Sequence, residues 1–570
     1  MEHTVAQREK RYDLLIPAIL FVALFLFKLI FVINGRSMPQ VSDEFTYAKL
    51  SRLLLENGTY NSVQYPLVYP LYLIPAQFFG DSAYIMMKIM SAFSSSFVPV
   101  VVYMICRLYL GKKESALGAV FAAIIPFQYI TSMTLMSENL YFPLFLLTIY
   151  VTLKKYRREV LADLLLGGLL GLLFMTRHIT FVSIPVFLFG WLLKQLELKK
   201  DWKTVTARGM MVVAVLLLVY LPWVLMCQSY GYALKEIIGF KIASRTNPAQ
   251  LTLKRLIMVA GFYLSYFSII LAPVLGLAFK SIRGLQFKGK TLYCAYNRLW
   301  VMVFGLAAAF FVAVTRHSWR AYYNFPEFEK IKGRYLIYFP ILFVILGIVV
   351  LFKQKPKFKH AWVNLLGTYL LPVFMIVLGY FIDIKGLLYP LQSTFIGSIE
   401  SSDGQKVKFM GMAFIAVIPL FILLYQYLYD FAKEKWQKSL FAVFAAGLLA
   451  VEIWGMPAYL DYMQGVDEKQ NNTNNRYAQE LMATLEMLEG PDTRYIYAEN
   501  MPQFTFISRT LDFWQTENVV LTKDLNNIKG TPYYIFTDQA EKYADIEIRK
   551  IMNYDWKDQM YYLIEVNQRK

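Results

Sequence analysis

From Leu14 to Met456 the chain repeatedly turns apolar for the roughly 20 residues that a helix needs to cross the hydrocarbon core of a bilayer. Such runs leave few options. Backbone N–H and C=O groups find no partners in lipid, so each run must satisfy its own hydrogen bonds as a helix. Composition agrees: 57% of the 570 residues are hydrophobic, and only 17% are charged, against about 25% in a soluble domain. The pattern predicts an all-α membrane domain over 14–456, with thirteen spans at 14–33, 83–106, 115–131, 139–153, 160–176, 179–193, 209–227, 256–279, 299–314, 335–352, 361–382, 409–429 and 439–456. The first run is too long for the core of a signal peptide and is followed by no small-x-small cleavage site, so it reads as a retained helix.

A net charge of +18 raises nucleic acid as a partner, but its distribution excludes that reading. Residues 457–570 hold 12 Lys/Arg against 18 Asp/Glu. The positive surplus sits in short loops between spans, where it reports topology. With residues 1–13 cytoplasmic, the inner segments carry 27 Lys/Arg in 78 residues and the outer loops 16 in 132. The inner loops are short, basic and plain. The long outer loops, above all 34–82, carry the unusual chemistry. Thirteen spans then place the C-terminal region outside. With no organelle signal, the expected location is a bacterial plasma membrane.

Beyond a polar, Asn-rich linker at 467–475, the tail shows helical periodicity over 476–489, with Ala478, Leu481, Leu485 and Leu488 on one face. β-like runs follow at 495–498, 519–522, 533–537 and 561–566. These predict a small extracytoplasmic α/β domain over 457–570, without a Gly-rich phosphate loop. Cys106, Cys227 and Cys294 have no metal or disulfide spacing.

Asp43 and Glu44 are adjacent carboxylates about ten residues past the first span. Ser42 suits an N-cap for an amphipathic helix running to Glu56 along the membrane surface, with Phe45, Ala48, Leu50 and Leu53–Leu55 apolar. Acids in a first turn stabilise a helix start; at a membrane-facing cleft a carboxylate also suits general-base work. Tyr65–Tyr72, rich in Pro and Tyr, reads as a second surface piece. Glu138 is the single charge of the tight outer turn between the third and fourth spans, and an ionisable group at such depth is a functional candidate. The fifth span carries Gly167, Gly168 and Gly171, suited to close helix packing, and ends at Arg177-His178. Arg177 suits either Glu138 or an anionic ligand. Lys88 opens the second span. Arg334-Tyr335 enters a later helix just before Pro340, where a guanidinium suits phosphate. Tyr47, His178 and Tyr335, beside these charges, are candidates to line a substrate cavity. Four scattered His make a zinc site improbable; Asp43 with Glu138 would suit a hard divalent cation such as Mg or Mn.

Together these features resemble the GT-C superfamily of membrane glycosyltransferases, in the branch of protein O-mannosyltransferases and lipid A aminoarabinose transferases. The resemblance rests on the acidic pair Asp43-Glu44 in a first outer loop with surface helices, on Glu138, on the Gly-rich span ending in Arg177, and on Arg334-Tyr335 before Pro340. It implies a transferase that takes a sugar from a polyprenyl-phosphate donor to an envelope acceptor (lipid, protein or polymer) on the outer face. Asp43 would be the general base of an inverting displacement. Lys88, Arg177 and Arg334 would stabilise the departing phosphate, and Glu138 would orient the acceptor or help hold a metal. The rival is a transporter or flippase for a lipid-linked or anionic substrate. Such proteins show repeated halves and charges near mid-membrane. No internal repeat is visible here, and the charges gather at the outer edge, which favours the transferase.

Overall fold

The computed structural model describes residues 2–35, 42–60, 62–125, 128, 131–239, 251–286, 292–320 and 339–353, isolated positions between 436 and 450 and at 481, and five strands with their flanks between 494 and 566. The expected spans at 361–382 and 409–429, nearly all of 439–456, and the helix at 476–489 apart from Leu481 lie outside the described residues. Two compact units divide the chain: residues 1–35 with 53–462, and residues 36–52 with 463–570. The segment bearing Asp43 and Glu44 thus groups with the C-terminal region.

The helices of the first unit are α1 Glu2–Asn34, α3 Val68–Gln77, α4 Ala83–Ser95, α5 Val98–Cys106, α6 Lys112–Ala123, α7 Glu138–Leu153, α8 Glu159–Thr176, α9 Thr180–Glu197, α10 Trp202–Ser229, α11 Leu253–Ile270, α12 Ala272–Ser281, α13 Ala295–Trp319 and α14 Phe339–Lys353. Helix α2, Ser42–Asn57, contributes to both units. Five stretches are long and apolar enough to cross a membrane: Leu15–Asn34, Gly80–Cys106, Glu159–Thr176, Trp202–Ser229 and Ala295–Arg320. Helix α1 turns Leu15, Ile19, Val22, Leu26, Ile30 and Ile33 outward, whereas α14 is buried on every side, from Phe339 to Leu351. A helix apolar all round belongs in the middle of a bundle.

Two expected spans are broken. Residues 83–106 form α4 and α5, joined at Ser96 and Phe97. Ser94, Ser95 and Ser96 turn their hydroxyls back onto the carbonyls of Ser91 and Ala92, which bends helices. Pro99, at the start of α5, has no N–H to continue the ladder. Residues 256–279 divide likewise at Leu271, just before Pro273 in the first turn of α12.

The glycines of α8 do what their spacing implies. A Cβ on Gly167 would stand 2.5 Å from the Val212 carbonyl of α10, and one on Gly171 would stand 2.7 Å from Val219 Cβ. Their absence lets the two backbones close together. Gly168, one residue round the helix, meets nothing within 4 Å.

At the far end of these helices, the segments read as plain basic loops contain a buried polar network. Asp163 accepts from Trp191 Nε1 at 2.8 Å and from Arg208 Nε at 2.5 Å. Arg208 also donates to Gln195 at 2.9 Å, and Lys194 lies 3.5 Å from Glu159. Lys194 and Arg208 are therefore helix residues that join α8, α9 and α10, not loop charges.

In the second unit the strands β1 Arg494–Ala498, β2 Val519–Thr522, β3 Tyr533–Thr537, β4 Ile548–Trp556 and β5 Gln559–Val566 form one sheet in the order β2-β1-β3-β5-β4. The pairs β2-β1 and β1-β3 are parallel; β3-β5 and β5-β4 are antiparallel. The sequence foresees four of these strands and misses β4. Its register is broken between Ile548 and Ile551, and such irregularity blurs the alternation that marks a strand.

Candidate functional site

Two of the expected site charges of the first unit, Glu138 and Arg177, meet where α7 begins and α8 ends. The turn before α7 is braced by Asn139, whose Nδ2 donates to the carbonyls of Thr131 and Thr134, both at 3.0 Å. Ser94 of α4 donates to the Asn139 carbonyl at 3.1 Å. This brace fixes Glu138, 5% exposed, as the first residue of α7. Facing it is Arg177, 8% exposed, just past the last turn of α8 with its N–H still bonded to Leu173. The two side chains form a buried ion pair. The guanidinium also lies over the Tyr141 ring, 5.9 Å from its centroid. Thr180 holds that corner by donating to the Leu173 carbonyl at 2.9 Å and to Tyr141 Oη at 3.3 Å.

His178 follows. Its Nε2 lies 2.8 Å from the Val63 carbonyl. A carbonyl only accepts, so Nε2 carries the hydrogen and Nδ1 presents a lone pair. Burial pushes the imidazole pKa down to about 4, with the Val63 carbonyl pulling the other way. The ring is neutral at pH 7, edge-on to Trp223 at 5.9 Å and to Phe174 at 6.4 Å. It ties the segment after α2 to the α8–α9 turn. An unfolded histidine takes up its proton near pH 6.5, the folded one only near 4. Stability is expected to be constant above pH 6.5 and to fall as pH drops through that window, by at most about 1.4 kcal/mol per pH unit. Thermal unfolding at pH 7 and pH 5 checks this: His178→Gln should show the smaller loss.

Lys88 stands 2% exposed on α4, donating to the Val32 carbonyl of α1 at 3.1 Å and lying over Tyr84. Further along α4, Tyr69 Oη of α3 meets Ser91 Oγ at 2.9 Å, and Lys28 of α1, wholly buried, donates to Ser95 Oγ at 2.6 Å. Sequence reasoning passed over Lys28 although its signal was present: a single lysine inside the first apolar run.

The structure thus joins Glu138 to Arg177, with His178 adjacent, and sets Lys88 on α4, the helix that braces the Glu138 turn. Asp43, half-buried, Glu44, wholly buried, and Tyr47, buried, sit on α2 within residues that group with the second unit. Arg334 and Tyr335 lie outside the described residues. Among the described residues no group of three His, Cys, Asp or Glu could hold a metal ion. Asp43 and Glu138 belong to different units.

Residues 66–225 match the family model described as dolichyl-phosphate-mannose-protein mannosyltransferase. Lys88, Glu138, Arg177 and His178 fall inside the match; Asp43 precedes it and Arg334 follows it. Among solved structures, ArnT of Cupriavidus metallidurans bound to undecaprenyl phosphate superposes with a TM-score of 0.54 at 13% identity, over 96% of this chain and 97% of that one. Its apo form gives 0.52 at 14% identity over the same shares. At such identity the likeness is one of fold. Archaeal oligosaccharyltransferase AglB of Archaeoglobus fulgidus is more distant, at TM-score 0.41 and 13% identity over 71% of this chain and 60% of that one. No curated protein sequence gives a significant match.

Proposed function

We propose that this chain is a GT-C superfamily glycosyltransferase of the protein O-mannosyltransferase and aminoarabinose transferase branch, and that it moves a sugar from a polyprenyl-phosphate donor to a hydroxyl-bearing acceptor on the outer face of the membrane. The observation that carries this reading is the buried Glu138–Arg177 pair, within the segment that matches the mannosyltransferase family. A guanidinium fixed at the end of a helix suits the charge of a departing phosphate. Lys88 supplies a second cation on α4. The fold shared with a protein solved around undecaprenyl phosphate agrees with a lipid-linked donor.

In the proposed reaction the Asp43 carboxylate removes the acceptor hydroxyl proton. The oxygen attacks the anomeric carbon, the bond from that carbon to the phosphate oxygen breaks, and polyprenyl phosphate departs with the electron pair. One displacement inverts the anomeric centre. Lys88 and Arg177 meet the developing charge, joined by Arg334, and Glu138 holds Arg177 in place. Tyr47, His178 and Tyr335 border the substrate. The positive bias of the loops supports a cytoplasmic N-terminus and a C-terminal domain outside.

Radiolabelled polyprenyl-phosphate sugars, supplied to membranes with and without the protein, test this directly. Protein-dependent label in a lipid, protein or polymer fraction is expected. Vectorial movement of a lipid-linked sugar without transfer would favour the transporter.

A further inference from the structure

At the helix ends remote from the Glu138–Arg177 pair, the turn from α7 to α8 adjoins the turn from α9 to α10. Lys155 Nζ lies 2.9 Å from Glu197 Oε1, and Lys194 donates to the Lys154 carbonyl at 3.3 Å. Residues 154–163 and 194–208 hold four carboxylates, and each is engaged within the protein. Glu159 pairs with Lys194 at 3.5 Å and accepts from the Tyr156 N–H at 2.6 Å. Asp163 is held by Arg208 and Trp191. Glu197 pairs with Arg298 of α13 as well as with Lys155. Asp201 caps α10, accepting from the Thr204 N–H at 2.9 Å and from its hydroxyl at 2.8 Å.

The cations of the same turns are not matched in this way. Arg157, Arg158, Lys199, Lys200 and Lys203 are all exposed, and among the described residues none of them pairs with a carboxylate. Beside them the surface turns apolar. Val160 and Leu161 face outward on the first turn of α8, Trp202 on the first turn of α10, and Met210, Leu217 and Leu218 further along α10. Both helices are long and apolar enough to cross a membrane, and outward apolar faces of such helices meet lipid chains. A rim of cations with a tryptophan at the end of those faces lies where phospholipid head groups lie. The long basic side chains reach that layer while their stems stay on apolar surface.

We infer that the α7–α8 and α9–α10 turns together bind the phosphates of anionic phospholipids in the leaflet on that side, the cytoplasmic one under the proposed topology. A zwitterionic head group carries its own ammonium beside the phosphate and gains little from such a rim. Phosphatidylglycerol carries none. The buried network has a part in this: by holding Glu159, Asp163 and Glu197 against Lys194, Arg208 and Arg298, it withdraws the anions that would otherwise neutralise the rim. The bias that steers insertion also puts cations on this side, but it acts while the chain is inserted and gives the finished protein no preference among head groups. The contact is independent of the transfer reaction.

The purified full chain in phosphatidylcholine bilayers would be given traces of spin-labelled phosphatidylglycerol or phosphatidylcholine, whose spectra report the fraction held at the protein surface. The parent should hold phosphatidylglycerol about fivefold more strongly at low salt, and the preference should shrink as salt screens the contact. Replacing all five cations by glutamine should abolish the preference. Their side chains are exposed and unpaired, so the melting temperature in phosphatidylcholine should stay near the parent's. Arg157→Gln with Arg158→Gln should lower the preference about twofold. Lys235→Gln with Lys254→Gln removes the same charge from exposed positions beyond the other end of α10 and should leave it unchanged. A parent without preference would overturn the inference, as would a fivefold variant that keeps it. An equal loss from the Lys235 and Lys254 pair would also overturn it, by tracing the preference to net charge alone.

Discussion

Asp43→Asn is expected to abolish sugar transfer while the protein still reaches the membrane in normal amount. The carboxamide keeps the shape of the carboxylate but cannot accept the proton. General-base catalysis contributes about 10²–10⁴-fold, so transfer at or below 1% of the parent rate is the expected reading. The neighbouring acid makes an internal control. Asp43 is half-buried in the first turn of α2, whereas Glu44 is wholly buried. Both favour the helix start through its dipole, but only Asp43 retains an approach for a substrate. Glu44→Gln should therefore act mainly on protein level and melting temperature, with the rate per folded molecule retained. Asp43 lies outside the family-matched segment and stands on its chemistry alone. Full activity of Asp43→Asn in a membrane assay would remove it as the base.

The second large effect concerns Glu138 and Arg177. Removing one partner of a buried ion pair strands the other charge away from water, at a cost of about 3–5 kcal/mol. Arg177→Met and Glu138→Leu should each lower the melting temperature sharply and reduce the amount of folded protein. The double replacement leaves no stranded charge and should recover most of that stability. Transfer should not recover with it, because the guanidinium proposed for the phosphate is gone. A double variant that regains both stability and activity would confine the pair to holding the fold.

Several of these relations were legible in the sequence because they follow from local chemistry. Arg177 reads as a partner for Glu138 or for an anionic ligand because each of the two is the charge of its own tight turn, and the structure joins them. Gly167 and Gly171 announced close packing by recurring four residues apart, on one helix face. Helix α2 followed from Ser42 and the acids after it, and four strands from alternation and β-branched content. What the sequence concealed depends on where chains meet. Hydropathy reads 83–106 as one span, and the stretch is long and apolar enough to cross, but the bend at Ser96 and Phe97 leaves no trace in it, because serines and Pro99 are mild in composition. Lys194 and Arg208 look like loop charges until α8, α9 and α10 bring them to Glu159 and Asp163. The grouping of 36–52 with the C-terminal region is likewise a long-range fact with no short-range trace.

The tight seam between α8 and α10 bears on how the site would operate. Arg177 extends from the end of a helix whose glycines lock it against Val212, Val215 and Val219. The absence of side chains at 167 and 171 lets α8 sit directly against α10, and Arg177 follows the last turn of α8. A guanidinium mounted in this way needs little reorganisation when charge develops opposite it, and that is the condition under which electrostatic catalysis is most effective. In the proposed reaction this corner would be the fixed element, and the substrate would be brought to it.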